Sequence, residues 1–375
     1  MGTSGELTSR ERLLRCIRHE PLDRTPASAY YIDPYDETTY RNHEPRYLEY
    51  VEICKQYDDT FTPAGIGGQG IYWSASDKVR AWSEEEREGP IHRITSYIET
   101  PQGVLQSRHR WDDGIATTWQ LEPLLKGPED EARLLSMPFE PPELDFSDYE
   151  RKTANIGQRG IVQVGIPDPI CMVYPAMGWK GFSMAALERP GEVLRLLDFF
   201  AERLEWLAEQ IAAHCHETSV RIAGPEYVGP GLASPDLFRR YCLQYDRRLV
   251  EIIRRSDNFA CIHCHGPLGG IVDMIGAMEP HILEPIEPPP DGDVPLTELK
   301  RRLGERICLM GYIEFRHLEY DEPEVLERRV AEACRDGGDT GYVLLATDGP
   351  IQAPSRRCVE NHRVFFEAAR KYGER

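Results

Sequence analysis

The sequence predicts a (β/α)₈ barrel of the TIM type, an α/β fold with an N-terminal extension and an antiparallel insertion. Three observations carry that expectation. From about residue 157 onward, short apolar runs alternate with amphipathic stretches, the pattern that builds a parallel sheet from right-handed crossovers. The 375 residues exceed an ordinary domain but suit one barrel whose loops carry insertions. The 29 prolines and 31 glycines are spread along the chain rather than gathered into a linker. The expected organisation is therefore a single domain over 1–375, with the insertion at about 85–125.

Taken in order, Thr25–Ile32 and Asp58–Ala64 are the two strands needed early in the chain. Between them and residue 157, Ile91–Tyr97 and Val104–Thr118 read as an antiparallel excursion around Pro101-Gln102-Gly103. Gly160–Gly165 is the next strand. Glu192–Ile211 then sets Val193, Leu196, Leu197, Phe200, Leu204, Leu207 and Ile211 at helical spacing behind Pro190-Gly191. Val220–Gly224 is a strand, and Ser234-Pro235 opens a helix with the stripe Leu237, Phe238, Tyr241, Tyr245, Leu249 and Ile252. The strands Phe259–His265, His281–Ile286, Ile307–Tyr312 and Tyr342–Thr347 follow. Helices near 268–278, 295–303 and 355–372 separate or follow them, and one more runs from a capping-box-like start at Asp321, Pro323 and Glu324 to Gly337-Gly338.

A net charge of -19 repels phosphate backbones and anionic membrane surfaces, so neither nucleic acid nor membrane is an expected partner. Mean hydropathy is -0.50, and no apolar run reaches the length of a membrane-spanning helix. The first eighteen residues are polar where a signal peptide would be apolar, so the protein is expected to be cytoplasmic with its ten cysteines reduced. Nothing in the sequence sets an oligomeric state, and a homo-oligomer is compatible with it.

Thr8-Ser9-Arg10-Glu11-Arg12 with Pro21-Leu22-Asp23-Arg24-Thr25-Pro26 resembles the N-terminus of the uroporphyrinogen decarboxylase superfamily. Ser234-Pro235-Asp236-Leu237-Phe238, His263-Cys264-His265-Gly266 and Leu309-Met310-Gly311-Tyr312-Ile313 fit it too, in the same order. The resemblance implies the barrel independently of periodicity. It also implies one of two chemistries: decarboxylation of uroporphyrinogen, or zinc-dependent transfer of methyl groups between corrinoid cofactors and small substrates. True decarboxylases carry an Arg-Gln-Ala-Gly-Arg-Tyr type segment after the first strand. Here Tyr30-Tyr31-Ile32-Asp33-Pro34-Tyr35-Asp36 has no arginine, and its two aspartates would repel a polycarboxylate. The chain is therefore expected nearer the methyltransferase branch.

Members of that branch use a His-x-Cys pair at one strand end and a Cys at the last. The matching positions here are His263, His265 and Asp348, so the resemblance implies these three as ligands of a zinc ion, with both cysteines replaced. Residues two apart on a strand face the same way, so His263 and His265 can reach one ion. A three-ligand site leaves a fourth position open. His214-Cys215-His216 repeats the tripeptide at the end of a helix, where residues two apart diverge by about 200°; ordinary packing is expected there.

Glu226, Glu284, Glu287 and Glu314 also fall where strands end, and any one of them is more simply a loop charge in an acidic protein. Glu226 and Glu284, with Tyr30, are the catalytic candidates, and Tyr30 and Tyr31 are candidate pocket walls. Harder ligands than thiolate suit a Lewis acid that polarises a methyl–oxygen or methyl–nitrogen bond. The expected function is thus transfer of methyl from a small O- or N-methyl compound to a corrinoid carried on a partner protein. Two alternatives stand beside it: a metal-free lyase acting on a pyrrolic or other carboxylated molecule, and a non-catalytic corrinoid- or tetrapyrrole-binding barrel.

Overall fold

The computed structural model describes residues 6–30, 32–40, 44–115, 117–350 and 353–375. Eight parallel strands form the barrel: β1 (Ala27–Ser28), β2 (Thr60–Ala64), β7 (Gly160–Pro167), β8 (Ser219–Ala223), β9 (Phe259–His263), β10 (Ile282–Ile286), β11 (Cys308–Ile313) and β12 (Tyr342–Ala346). Their order, β1-β12-β11-β10-β9-β8-β7-β2, leaves β1 and β2 as the two flanks of one seam. The intervening strands β3 (Arg80–Glu88), β4 (Ile91–Thr100), β5 (Gly103–Asp112) and β6 (Thr118–Glu122) form a separate antiparallel sheet.

Side chains close the seam where the ladder does not. Ala29 N–H donates to Asp58 Oδ1 at 3.0 Å and Ala27 N–H to Asp59 Oδ2 at 3.1 Å, while Asp59 N–H donates to the Ala27 carbonyl at 2.9 Å. This explains why β1 has two residues rather than the eight expected from Thr25–Ile32. Pro26 has no N–H to give, and the next amides are taken by aspartates instead of a neighbouring strand. Asp59 is fully buried and is neutralised by Arg12 and Arg24, each at 2.7 Å.

The N-terminal helix Ser9–Ile17 starts with a complete capping box of Thr8 and Glu11. It drives Leu13, Leu14, Cys16 and Ile17 into a cluster with Phe61, Ile161, Phe259, Ile282, Cys308 and Val343, residues at or near the starts of the barrel strands. The extension therefore plugs the N-terminal end of the barrel and leaves the C-terminal end for chemistry.

Two sequence expectations change. The helix opened by Ser234-Pro235 is two helices, Pro235–Tyr241 and Leu243–Arg254, broken at Cys242 (φ -121°, ψ -58°), and the Ser234 hydroxyl makes no cap bond. The insertion has four strands rather than two, because β3 and β6 are largely exposed and lack the apolar alternation that betrays a strand. Among the described residues, no helix is long and apolar enough to cross a membrane.

Candidate active site at the barrel mouth

Strand pairing places the polar groups in one layer. Ala223 pairs with His263 and His263 with Glu284 across β8, β9 and β10, so His263 and Glu284 leave the sheet side by side at its C-terminal end. Arg221, two residues earlier on β8, reaches up to both. Its Nε donates to Glu284 Oε1 at 2.6 Å, and its Nη2 lies 2.5 Å from the Tyr30 hydroxyl and 2.8 and 2.9 Å from the two ring nitrogens of His263. His263 Nδ1 is 3.0 Å from Glu284 Oε1. A carboxylate only accepts and a guanidinium only donates, which assigns the Nδ1 proton to Glu284 and the Nε2 lone pair to Arg221.

Burial would raise the Glu284 carboxyl, yet His263 and Arg221 overcome that penalty and hold it down at about 2. Burial opposes the Arg221 charge, but Glu284 and the Tyr30 hydroxyl raise its guanidinium further. The layer is thus a fixed arrangement of opposed charges with a tyrosine hydroxyl at its edge.

His265 lies just above, its ring 4.7 Å from that of His263 and nearly perpendicular to it. Its Nδ1 is 2.8 Å from Glu287 Oε1, and Glu287 Oε2 accepts from Gly266 N–H at 2.6 Å. Burial lowers its affinity for a proton, but Glu287, Glu226 and Glu284 together raise it above the ordinary imidazole value. Glu226 Oε2 is buried without a hydrogen-bond partner. Glu314 Oε1 is likewise buried and unpartnered, while its Oε2 accepts from the Thr347 hydroxyl at 3.1 Å. Burial first, and repulsion from Glu287 second, push the Glu314 carboxyl up to about 7.

Asp348 is exposed, and its Oδ1 accepts from its own neighbour Gly349 N–H at 2.7 Å. The structure thus brings His263, His265, Glu284 and Tyr30 to the mouth, while the Asp348 carboxylate turns to backbone beside it. Tyr31 lies outside the described residues. Asp33 and Asp36 are buried against Lys152, at 3.1 and 3.3 Å, so their charges are spent locally rather than presented to a ligand.

Sequence reasoning passed over Arg221, although an arginine inside the run Val220–Ala223 is itself the signal of a paired buried charge. It also passed over Asp168, Cys242 and Asp246, which come from three separate elements. Among the described residues, these form the one group of three His, Cys, Asp or Glu side chains whose ligand atoms all lie within 4.8 Å of one another. Asp168 caps the helix after β7 by accepting from Cys171 N–H at 2.7 Å, and Cys242 Sγ donates to Asp246 Oδ2 at 3.1 Å. Burial and repulsion from Asp246 raise Asp168 well above the carboxylate range, while burial, with the Glu226 charge behind it, outweighs the hydrogen bonds from Cys242 and Asp168 and takes Asp246 to about 7. The group has the donor set of a metal site, and without a cation its carboxylates hold a proton between them. Gly224 makes the approach possible: at φ +142° a side chain is strained, and an added Cβ would fall 2.0 Å from Asp168 Oδ1.

The histidines of the other tripeptide part company. His214 stacks on Phe146 at 3.9 Å and sits 3.1 Å from Glu150, whereas His216 faces Asp257 at 3.2 Å.

Comparison with known proteins agrees with this architecture. A methyltransferase from Methanosarcina mazei superposes with a TM-score of 0.63 over 98% of this chain and 99% of its own, at 13% identity, a likeness of fold. A uroporphyrinogen decarboxylase from Trichodesmium erythraeum (strain IMS101) is 23% identical over 145 residues, a match spanning 38% of this chain and 38% of that protein's length. Residues 169–372, more than half of the chain, match the uroporphyrinogen decarboxylase (URO-D) family over β8 to β12 and the helices that support the mouth, so the chain belongs to that family.

Proposed function

We propose that this protein is a metal-dependent methyltransferase that moves a methyl group from a small O- or N-methyl compound to the cobalt of a corrinoid carried by a partner protein. The observation that carries the reading is the field at the mouth. His265 pairs with Glu287 and feels the charges of Glu226 and Glu284, and the unpartnered buried oxygens of Glu226 and Glu314 lack a donor whose place a cation would take. The residues fit a divalent ion such as zinc on charge. On direction they ask for a change: His263 would exchange the Arg221 hydrogen bond for the ion, and Asp348 would turn from Gly349. His263, His265 and Asp348 remain the proposed ligands. When bound, the ion supplies Lewis acidity that weakens the methyl–oxygen or methyl–nitrogen bond.

The chain's own groups supply the rest. Glu314, at about 7, is protonated in a useful fraction at neutral pH and can deliver a proton to a departing alkoxide or amine. Glu284, held ionised, fixes His263 and Arg221, and the Tyr30 hydroxyl takes a further hydrogen bond from Arg221. The open C-terminal face is where a corrinoid-bearing partner would be received.

Elemental analysis of untagged protein and a corrinoid absorption assay test the proposal together. Stoichiometric metal and methylcobalamin formed from a methyl ether or methylamine are the expected results. A metal-free protein, or carbon dioxide released from uroporphyrinogen, overturns it. The latter outcome would favour the second reading, a metal-free lyase on a carboxylated small molecule, for which the mouth offers Arg221 as the cation.

A further inference from the structure

Beside the mouth, the antiparallel sheet and the helix Pro169–Glu188 line a pocket of about 490 Å³ that opens to solvent along the sheet. Its character departs from the rest of the chain: 29% of the residues are charged, yet among the described residues no Asp, Glu, Lys or Arg lines this space. Ser83, Ser96 and Ser107 stand directly opposite one another across β3, β4 and β5, so their hydroxyls form one row on one face of the sheet. Trp73, Met172 and Pro175 supply apolar walls, and Trp73 is held edge-on against Phe200 at 5.6 Å. Gln120 Nε2 donates to the Pro175 carbonyl at 2.7 Å and ties sheet to helix. Burial keeps the His109 imidazole, also in the lining, below its ordinary value and so uncharged at neutral pH.

The cavity also touches the mouth. Cys171, which lines it, sits on the first turn of the helix after β7, and its Cβ is 2.6 Å from where a Gly224 Cβ would stand, two residues before Glu226. We infer that this cavity binds an uncharged, planar aromatic ring bearing oxygen substituents, placed by the inserted sheet with one edge toward Glu226. Apolar walls with a methionine sulfur suit a ring face, and the serine row suits hydroxyl or ether oxygens at its edge. A carboxylated ring would bury its charge without a cation. That the ring carries the transferable methyl rests on the methyl-transfer reading; its binding rests on the cavity alone.

Titration of the metal-free protein with 1,2-dimethoxybenzene, followed by tryptophan fluorescence and calorimetry, tests the site. Saturable binding is expected, with 3,4-dimethoxybenzoate at least about tenfold weaker, a difference of about 1.4 kcal/mol. Ala176→Phe should abolish binding by filling the cavity. Ser83→Trp does the same from an exposed strand position where folding is not at stake. No saturable binding of the neutral ring, equal affinity for the carboxylate, or wild-type binding by the folded Ser83→Trp protein overturns the inference. Binding without any methyl transfer to cobalt would instead overturn the methyl-transfer reading and leave this site standing. Transfer from aliphatic donors with no aromatic binding would do the reverse.

Discussion

His214-Cys215-His216 and His263-Cys264-His265 are the same three residues in a row, and the molecule uses them in opposite ways. The first ends the helix Pro190–His214, so its histidines diverge to Glu150 and Asp257 at the surface. The second ends strand β9, so its histidines emerge on one side and come within 4.7 Å of each other above a layer of buried charges. In both, the middle cysteine is buried, and burial raises its thiol pKa. Element type, through the direction in which alternate side chains point, brings one tripeptide's histidines together at the barrel mouth and leaves the other's as two surface contacts.

The largest effect should come from breaking the charge layer beneath the second tripeptide. Glu284→Ala leaves Arg221 buried without its carboxylate and should cost about 3–5 kcal/mol in urea unfolding. A loss under about 1 kcal/mol would show that the layer is wet and weakly coupled. Next, His265→Ala should remove bound metal and lower methyl transfer by about 100-fold or more, close to 2.7 kcal/mol in the barrier, with the far-UV spectrum retained. Metal content equal to wild type would return the second tripeptide to the standing of the first.

Glu314 sharpens the comparison through pH. Its carboxyl titrates near 4.5 when unfolded and at about 7 when folded, so the native state binds the extra proton between those values. That contribution to stability is complete below about pH 4.5 and is lost as pH rises through about 7. Glu314→Gln should therefore flatten the stability profile over this window relative to wild type, by up to about 3 kcal/mol. It should also remove the fall in activity above neutrality. Parallel profiles for the two proteins would exclude Glu314 as the proton donor. The smallest effect belongs to the first tripeptide: His216→Ala should change stability by less than about 0.5 kcal/mol and activity not at all, because its contact with Asp257 is exposed.

Periodicity, turn residues and strand-end placement were enough to anticipate the parallel barrel, most of its strands from residue 157 onward, and the position of His263 and His265 at its mouth. Those properties are local, because apolar repeat and alternation are written into each element before it packs. The seam was not legible, since nothing in Asp58-Asp59 announces that two carboxylates will stand in for a strand ladder. Nor were Arg221's partners, drawn from β9, β10 and the loop after β1, or the meeting of Asp168, Cys242 and Asp246. Each depends on which strands become neighbours and on the register between them, quantities that are set when the whole barrel closes and that no single segment encodes.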